Sequence, residues 1–457
     1  MSNNTKKEAD LGNDRIGGLL FKLALPAILA QIINLLYNLV DRMYIGHIPG
    51  EGSAALTGVG VTMPVIMCIS AFAALVSMGG APRASIMMGK GQQSEAERIL
   101  GNCSTMLVIV ALVLTGVIQL WGKDILMVFG ASDLTIPYAW SYMRIYSIGT
   151  IFVQLALGLN AFINAQGFAK TGMLTVVIGA VINIILDPVF IFGLHMGVQG
   201  AALATILSQA VSCIWIVVFL LGKKTTLRLN LKNMSPKLSV MGPCITLGIA
   251  PFIMQFTESI LNICFNTSLL KYGGDIAVGS MTILSSIMQM SVLPVQGLTQ
   301  GAQPIIGFNY GAKKTDRVKK AFRLLLVSCV AYTVVIWLIC MFAPQLFIGI
   351  FTSSNEMVRF SKWAIRIYMA CSLVMGVQIA CQQAFIALGN AKTSVFLALL
   401  RKVILLIPLI YILPCCFYNQ LFAVFLAEPV ADVLAVSTTA ILFFRQYRRL
   451  DADVSES

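Results

Sequence analysis

Two aspartates stand inside stretches of the chain that are otherwise mostly apolar. Asp41 lies in NLLYNLVDRMYIG, which covers residues 34–46, and Asp187 lies in NIILDPVFIFG, which covers residues 183–193. A charged side chain among apolar residues costs free energy unless it is neutralised or paired. Inside a membrane segment an ionisable residue marks a functional site by default. These carboxylates are therefore candidates for binding a proton or a cation.

Both aspartates have polar neighbours at helical spacing. Residues three and four apart share a helix face, and this spacing joins Asp41 to three preceding residues, Asn34, Tyr37 and Asn38. Asn183 precedes Asp187 by four positions. The pattern would gather amide, hydroxyl and carboxylate oxygens around each aspartate.

Two more oxygen donors follow along the chain. Pro188 leaves the carbonyl of Ile184 without its usual hydrogen-bond donor, and Thr205 lies at a similar predicted depth. Hard cations prefer oxygen ligands, whereas a proton needs only a carboxylate. The sequence thus predicts either a proton site at the two carboxylates or a Na⁺ site. The alternative is that these polar groups only join helices through hydrogen bonds. The candidate Na⁺ ligands are Asp41, Asn183, Asp187 and Thr205.

The elements that must position these residues are membrane-spanning helices. The chain has 457 residues, 58% of them hydrophobic and 11% charged, with a mean hydropathy of +0.85. A soluble protein carries about 25% charged residues, and a spanning helix needs about 20 mostly apolar residues. The sequence predicts an all-α polytopic membrane protein with twelve transmembrane helices, at about 20–43, 54–80, 99–121, 136–160, 172–193, 199–221, 241–269, 276–299, 321–343, 363–387, 394–414 and 420–443.

The basic residues fall mainly on one side of the predicted membrane protein. Twelve spans put both termini on one side, where 23 of the 32 Lys and Arg residues lie, against five on the other side. The positive-inside rule then makes both termini cytoplasmic in a multi-pass protein of the cell membrane. The net charge of +13 is therefore an orientation signal, and we expect no nucleic-acid partner. Counting along the spans places Asp41 and Asp187 together in the outer half.

The chain contains an internal repeat. AFINAQGFAKTG from Ala161 matches AFIALGNAKTS from Ala384, and LALPAILAQ from Leu23 matches LGIAPFIMQ from Leu247, at a shift of about 222–225 residues. Each copy holds six spans, so both copies enter the membrane from the same side and form two pseudo-symmetric lobes related by parallel repeats. The predicted domains are an N-lobe at 1–222, a cytoplasmic linker at 223–240 and a C-lobe at 241–457.

The second half carries different acidic residues. Neither Asp41 nor Asp187 has a carboxylate as its counterpart there. Glu258 instead lies within the seventh span, in a stripe with Gln255 and Asn262. It could be a second protonation site or a counter-charge for a cationic substrate. The roles of two acids in the last span, Glu428 and Asp432, stay open.

Two six-span lobes without an extramembrane domain predict a transporter that works by alternating access. A channel or a structural scaffold is the alternative, and a receptor or assembly scaffold would show no dependence on ion gradients. For catalysis the sequence offers only two histidines, His47 and His195, and neither an HExxH zinc motif nor a P-loop. We therefore expect no enzyme.

The segments LALPAILAQIINLLYNLVDRMYIG and NIILDPVFIFG, with the paired six-span halves, resemble the multidrug and toxic compound extrusion (MATE) family. The resemblance covers essentially the whole chain. It implies a V-shaped antiporter with a central cavity that expels organic, mostly cationic or amphipathic compounds in exchange for H⁺ or Na⁺. It implies no cofactor. We expect a monomer whose partners are drugs or other toxic small molecules and the lipid bilayer.

The resemblance also implies roles for individual residues. A C-lobe carboxylate used in one branch of the family corresponds to Glu258, but that branch has a further acid in the tenth span, where this chain reads YMACSLVMG from Tyr368. The N-lobe site is therefore favoured. A flippase for lipid-linked precursors is the alternative in the same superfamily, and it would need basic groups in the cavity, where the mid-span candidates are Arg144 and Arg366. The family's N-lobe cation site corresponds here to Tyr37, Asp41, Asn160, Asn183, Asp187 and Thr205.

Overall fold

The computed structural model describes residues 9–351 and 355–455, and in this part of the chain it is built from helices. Within these two ranges, ten helices are long and apolar enough to cross a membrane, and there are twelve such spans when each of two bent helix pairs is counted as one. Each span overlaps one predicted span, so the predicted all-α polytopic architecture is confirmed. The spans are Ile16–Gly46 (span 1), Ala54–Gly89 (span 2), Gln93–Val128 (span 3), Ile136–Ile148 with Thr150–Ala165 (span 4), Ala169–Gly193 (span 5), Val198–Leu221 (span 6), Leu238–Gly274 (span 7), Ile276–Gly311 (span 8), Thr315–Phe342 (span 9), Asn355–Tyr368 with Ser372–Ala387 (span 10), Ala391–Cys416 (span 11) and Gln420–Arg448 (span 12).

Spans 4 and 10 are bent at equivalent points of the repeat. Span 4 bends by 59° at Gly149, and span 10 bends by 49° at the break that ends with Cys371. The two positions are 222 residues apart (371 − 149 = 222), which is the shift of the sequence repeat. Gly149 also permits a close contact, because a Cβ there would lie 2.4 Å from the side chain of Ile206. The two halves therefore repeat in structure as well as in sequence.

Four clusters of buried apolar side chains show where the two halves of the chain meet. One cluster lies wholly in the first half, between residues 45 and 202, and another lies wholly in the second half, between residues 261 and 431. The other two clusters join the halves. In one of them span 1 packs against spans 8 to 12, and in the other spans 2 and 3 pack with Cys244 of span 7.

The shared clusters lie at the end of the molecule that carries both termini, here called the terminal side. Asn309 Nδ2 of span 8 donates a hydrogen bond of 2.8 Å to the carbonyl of Leu11. Near the other end of the chain, the ring of Tyr447 lies 6.2 Å from the ring of Phe322. The N-lobe (spans 1–6) and the C-lobe (spans 7–12) are joined on the terminal side and have separate cores on the opposite side. This arrangement is the V-shaped fold with a central cleft.

Glycines allow the two lobes to approach closely on the terminal side. Spans 2 and 7 cross where a Cβ on Gly79 would lie 1.9 Å from the carbonyl oxygen of Cys244. At the same crossing, a Cβ on Gly248 would lie 1.7 Å from the carbonyl oxygen of Leu75. Small residues at a helix interface permit backbones to come this close, so the crossing requires glycine on both helices.

Side chains of the N-lobe hold the segment between the lobes. Gln166 Oε1 accepts three hydrogen bonds of 2.8 Å, from the Thr225 hydroxyl and from the backbone N–H groups of the next two residues. Asn102 Oδ1 accepts another, of 2.7 Å, from the N–H of Lys237. Span 7 begins one residue later, at Leu238. The exact division into N-lobe, linker and C-lobe stays a prediction.

Candidate functional site

The structure brings Asp41 and Asp187 together inside the N-lobe. Asp41 lies near the end of span 1 and Asp187 near the end of span 5, and both spans run from the terminal side to the opposite side. The two residues are 7% and 0% exposed. Their carboxyl groups lie close enough to interact directly, and two such groups in one apolar place cannot both be ionised without cost. The sequence predicted that the two aspartates lie at the same depth in the membrane, and this shared depth allows them to meet.

Among the residues that the structure describes, three oxygen atoms at this place are buried without a hydrogen-bond partner: Asp41 Oδ1, Asn183 Oδ1 and Asp187 Oδ2. Asn183 Nδ2 donates to Asp187 Oδ1 at 3.3 Å and lies 3.5 Å from Thr205 Oγ1. The Thr205 hydroxyl donates to the carbonyl of Ala201 at 3.0 Å and accepts the long hydrogen bond from Asn183. Buried polar atoms without partners cost free energy. A bound cation or a proton would satisfy these oxygens, and their chemistry fits the Na⁺ or H⁺ expected from the sequence.

Tyrosines complete the surroundings of the two aspartates, and sequence reasoning found only one of them. Tyr37 lies within electrostatic range of Asp41. Tyr142 and Tyr146 of span 4 are buried, with stacked rings whose centroids are 5.9 Å apart. The Tyr142 hydroxyl approaches Thr205. The i,i+4 spacing of the two tyrosines in YMRIY was the available signal for them, because it places both rings on one helix face.

The asparagines expected near the site lie differently. Asn38 Nδ2 donates to the carbonyl of Asn34 at 2.6 Å within span 1, and Asn34 is exposed. Asn160 Nδ2 donates to the carbonyl of Gly172 at 3.3 Å. Gly172 precedes Asn183 by 11 residues of span 5 (183 − 172 = 11), which is roughly 16 Å along a helix. Asn160 is therefore not brought to the carboxylates, since it lies near the terminal-side end of span 4.

Glu258 forms an ion pair that the sequence did not reveal. Lys402 Nζ lies 2.8 Å from Glu258 Oε2 and donates to the carbonyl of Met254 at 2.8 Å. The lysine side chain is 7% exposed and the glutamate side chain is 56% exposed. The lysine therefore reaches Glu258 from within the C-lobe. It is carried by a π-helical segment of span 11, Leu400–Leu406, and such segments are frequent at functional sites.

Glu428 and Asp432 of span 12 are held by one arginine. Arg401 Nη2 lies 3.0 Å from Glu428 Oε1, and Arg401 Nε lies 2.8 Å from Asp432 Oδ1. The side chain of Arg401 is 14% exposed, that of Glu428 is 6% exposed and that of Asp432 is 3% exposed. The two acids thus connect spans 11 and 12. The basic residues predicted from the sequence, Arg144 and Arg366, are both exposed. Lys402 is buried and Arg401 is partly buried.

Gln255, Glu258 and Asn262 lie on the side of span 7 that borders the cleft. Gly248 faces the N-lobe, and each following residue of a helix is rotated by about 100° around the helix axis. By this count, Glu258 points about 80° away from the direction of Gly248. Gln255 and Asn262 fall within about 40° of that direction. Asn262 is exposed, and its Nδ2 donates to the carbonyl of Glu258 at 3.1 Å. These helical positions favour a place for the polar stripe on the C-lobe wall of the cleft, and its role in substrate or proton binding stays a prediction.

Comparison with known proteins adds to this geometry. The family model MatE matches the chain twice, at residues 26–189 and at residues 251–412, once in each lobe.

The chain belongs to the MATE family. Multidrug export protein MepA of Staphylococcus haemolyticus is 25% identical to it over 415 residues, which are 90% of this chain and 91% of MepA. The structure of the MATE multidrug transporter DinF-BH in complex with rhodamine 6G is 32% identical, covers 96% of this chain and 98% of DinF-BH, and has a TM-score of 0.87. A MATE transporter of the MOP superfamily in an outward-facing conformation has a TM-score of 0.90 at 22% identity, over 98% of this chain and 99% of that one.

In this MATE chain the two lobes build their polar groups from equivalent spans. The N-lobe group comes from spans 1, 4, 5 and 6, and the C-lobe group comes from their repeat mates, spans 7, 10, 11 and 12. Tyr146 and Tyr368 occupy the same place in the two repeats (368 − 146 = 222). Tyr368 lies within electrostatic range of Glu258, Glu428 and Asp432, as Tyr142 does of Asp41 in the N-lobe.

The two polar groups of this MATE chain differ in charge. In the described part of the chain, no cation forms an ion pair with Asp41 or Asp187. The C-lobe group holds three carboxylates against two cations, which gives a net charge of −1 when all are ionised. The N-lobe carboxylates are thus free to take an external cation, whereas the C-lobe carboxylates already have internal ones.

Proposed function

We propose that this MATE protein exports organic, mostly cationic or amphipathic compounds across the cell membrane in exchange for H⁺ or Na⁺. The observation that carries the proposal is the contact between two buried carboxylates, Asp41 and Asp187, to which no ion-paired cation is joined in the described residues. Two negative charges in contact inside an apolar lobe repel each other and are poorly solvated. One proton or one sodium ion relieves both costs.

Both coupling ions are compatible with the donor set. A proton needs only the two carboxyl groups. Sodium would take the three unpartnered oxygens of Asp41, Asn183 and Asp187, with the Thr205 hydroxyl beside them. Oxygen-only donors suit a hard cation.

The coupling rests on movement of the lobes about their terminal-side contact. With the termini cytoplasmic, as the distribution of basic residues favours, the cleft opens to the outside. Cation binding between spans 1 and 5 neutralises the site and allows the two helices to repack, which favours drug release into the open cleft. When the exported compound is neutral, one charge crossing 100 mV supplies about 2.3 kcal/mol, enough for a drug gradient of about 50-fold. When a monocation is exchanged for one ion, no net charge crosses, and the concentration gradient of that ion drives export.

The named relatives support the class of substrate. MepA is a multidrug export protein, and DinF-BH is a multidrug transporter that was solved with rhodamine 6G. A flippase for lipid-linked precursors would have to neutralise phosphate groups. The cations of the C-lobe group, Arg401 and Lys402, are outnumbered by their own carboxylate partners, which argues against that alternative.

The test is dye uptake into proteoliposomes with a sodium gradient and a pH gradient imposed separately. We expect rhodamine 6G uptake in wild type to follow at least one gradient. Asp41→Asn should reduce the initial rate by at least about tenfold, the effect of removing an interaction of about 1.4 kcal/mol or more. Asp124→Asn is the matched control, because it removes an exposed carboxylate near the end of span 3. Its rate should equal that of wild type.

Three outcomes would contradict the proposal. Full gradient-driven uptake by Asp41→Asn would exclude the N-lobe site as the coupling site. Transport of lipid-linked sugars without uptake of the dye would favour the flippase. Uptake or binding that ignores both gradients would favour a channel, receptor or scaffold.

A further inference from the structure

A lysine pairs from inside the C-lobe with the carboxylate that an organic cation in the cleft would approach. Lys402 Nζ is 2.8 Å from Glu258 Oε2. The glutamate side chain is 56% exposed, whereas the lysine side chain is 7% exposed and lies behind it. A molecule in the cleft therefore meets a carboxylate whose charge is already compensated from inside the lobe.

Glu258 lies where the two lobes have parted. The ring of Phe252 in span 7 packs against Phe72 of the N-lobe, with centroids 5.1 Å apart. Glu258 is six residues further along span 7 (258 − 252 = 6), about 9 Å nearer the opposite side. The separate apolar core of the C-lobe begins there, at Leu261. The carboxylate thus stands above the contact between the lobes, at the bottom of the open cleft.

Lys402 keeps other partners if it leaves Glu258. Its ammonium donates to the carbonyl of Met254 at 2.8 Å, and it lies within electrostatic range of Glu428. Met254 is itself fixed, because Gln382 Nε2 donates to its Sδ at 3.1 Å. Because the surrounding group has one carboxylate more than it has cations, displacement of the lysine does not leave a buried ammonium without a counter-charge.

We propose that Lys402 is a specificity-determining residue, a tethered cation that competes with cationic substrates for Glu258. A permanent monocation in the cleft has to compete with this ammonium for the carboxylate, because the lysine already compensates its charge from inside the lobe. A neutral compound of the same shape meets no such competition. The lysine therefore lowers the affinity for monocations and leaves the affinity for neutral amphipathic compounds unchanged. This inference rests on the proposed function, because it assumes that substrates bind in the cleft.

The experiment compares a cation with its neutral analogue. Tetraphenylphosphonium is a permanent monocation, and triphenylphosphine oxide is a neutral compound of similar shape. Their binding to purified full-length protein in detergent is measured by equilibrium dialysis. Lys402→Met should bind tetraphenylphosphonium about fivefold more tightly than wild type does, the upper end for a partly exposed ion pair. Its affinity for the neutral compound should be unchanged.

Three variants separate this effect from a change in folding. Lys402→Arg keeps the charge and should show no gain. Adding Glu258→Gln to Lys402→Met removes the carboxylate that the lysine screens, so the gain should disappear. Lys392→Met removes the same charge from an exposed position near the start of span 11 and should bind as wild type does.

The outcomes distinguish this inference from the proposed function. Equal or weaker tetraphenylphosphonium binding by Lys402→Met would overturn the inference, whether or not wild type transports dyes. An equal gain for both compounds would also overturn it, since charge would then play no part. Binding by Lys402→Met alone, with no binding or transport by wild type, would support the inference and contradict export of monocations.

Discussion

Gly248→Ala should push the lobes apart on the terminal side and favour the state that is closed on the opposite side. A Cβ at this position would lie 1.7 Å from the carbonyl oxygen of Leu75 in the other lobe, whereas ordinary contact begins at 3.4 Å. The two backbones must therefore part by about 1.7 Å (3.4 − 1.7 = 1.7). The contact is with backbone, so rotation of a side chain cannot relieve it.

The size of the effect follows from the cost of overpacking. Inserting a methyl group into a packed interface costs about 1–3 kcal/mol. This cost applies to the conformation in which spans 2 and 7 touch, and it falls away in a conformation that opens the terminal side. We expect the equilibrium between the two conformations to shift by a factor of about 5–150.

The assay is the distance between spin labels on the two lobes, in a cysteine-free background. Labels at Glu51 and Tyr418 sit in exposed turns on the opposite side, one in each lobe. Gly248→Ala should increase the population with the shorter distance between them. Gly79→Ala should do the same, because its Cβ would lie 1.9 Å from a carbonyl at the same crossing. Gly242→Ala is the control, since a Cβ there meets nothing within 4 Å.

Unchanged distance distributions in both Gly248→Ala and Gly79→Ala would refute this reasoning, provided that both variants elute as folded protein. Such a result would mean that local shifts within the two helices absorb the clash. The contact at the crossing would then not control the opening of the cleft.

Two further predictions concern stability. Arg401→Met leaves two buried carboxylates without their cation and should lower the free energy of unfolding by about 3–5 kcal/mol. Thermal unfolding in detergent measures this loss of stability. Adding Glu428→Gln and Asp432→Asn to Arg401→Met should recover most of the loss. An Arg401→Met protein as stable as wild type would show that the pairs contribute nothing. Gln166→Leu removes the acceptor of three hydrogen bonds from the segment between the lobes, at about 1–3 kcal/mol for each buried donor left unpaired. Amide hydrogen exchange at Thr226 and Leu227 should become faster, and unchanged exchange would contradict the assigned role of Gln166.

The N-lobe site was accessible from the sequence because its signals are local. Apolar run lengths gave the spans, and counting along each span gave the depth of Asp41 and Asp187. The i,i+4 spacing placed Asn183 beside Asp187, as its hydrogen bond of 3.3 Å shows. Asn160 came from family resemblance alone, and the structure places it by Gly172, near the terminal side.

The C-lobe pairs could not be predicted in this way. Glu258 and Lys402 are 144 residues apart (402 − 258 = 144), and Arg401 reaches Glu428 and Asp432 from a different span. The residues next to each partner in the sequence contain no pattern that indicates the other partner. The rotation of span 11 decides which side of the helix faces span 7, and the π-helical segment of that span carries both Arg401 and Lys402.

By itself the sequence determined the class of protein, the number of spans, the repeat and the presence of carboxylates at one depth in the N-lobe. These properties depend on hydrophobic length and periodicity, which neighbouring residues along the chain express directly. Only the tertiary structure decided which charges meet, that the lobes join at glycine crossings on the terminal side, and that the cleft carboxylate Glu258 already has a cation beside it. Those contacts depend on the rotation and spacing of helices that are distant in sequence, and packing between helices sets both.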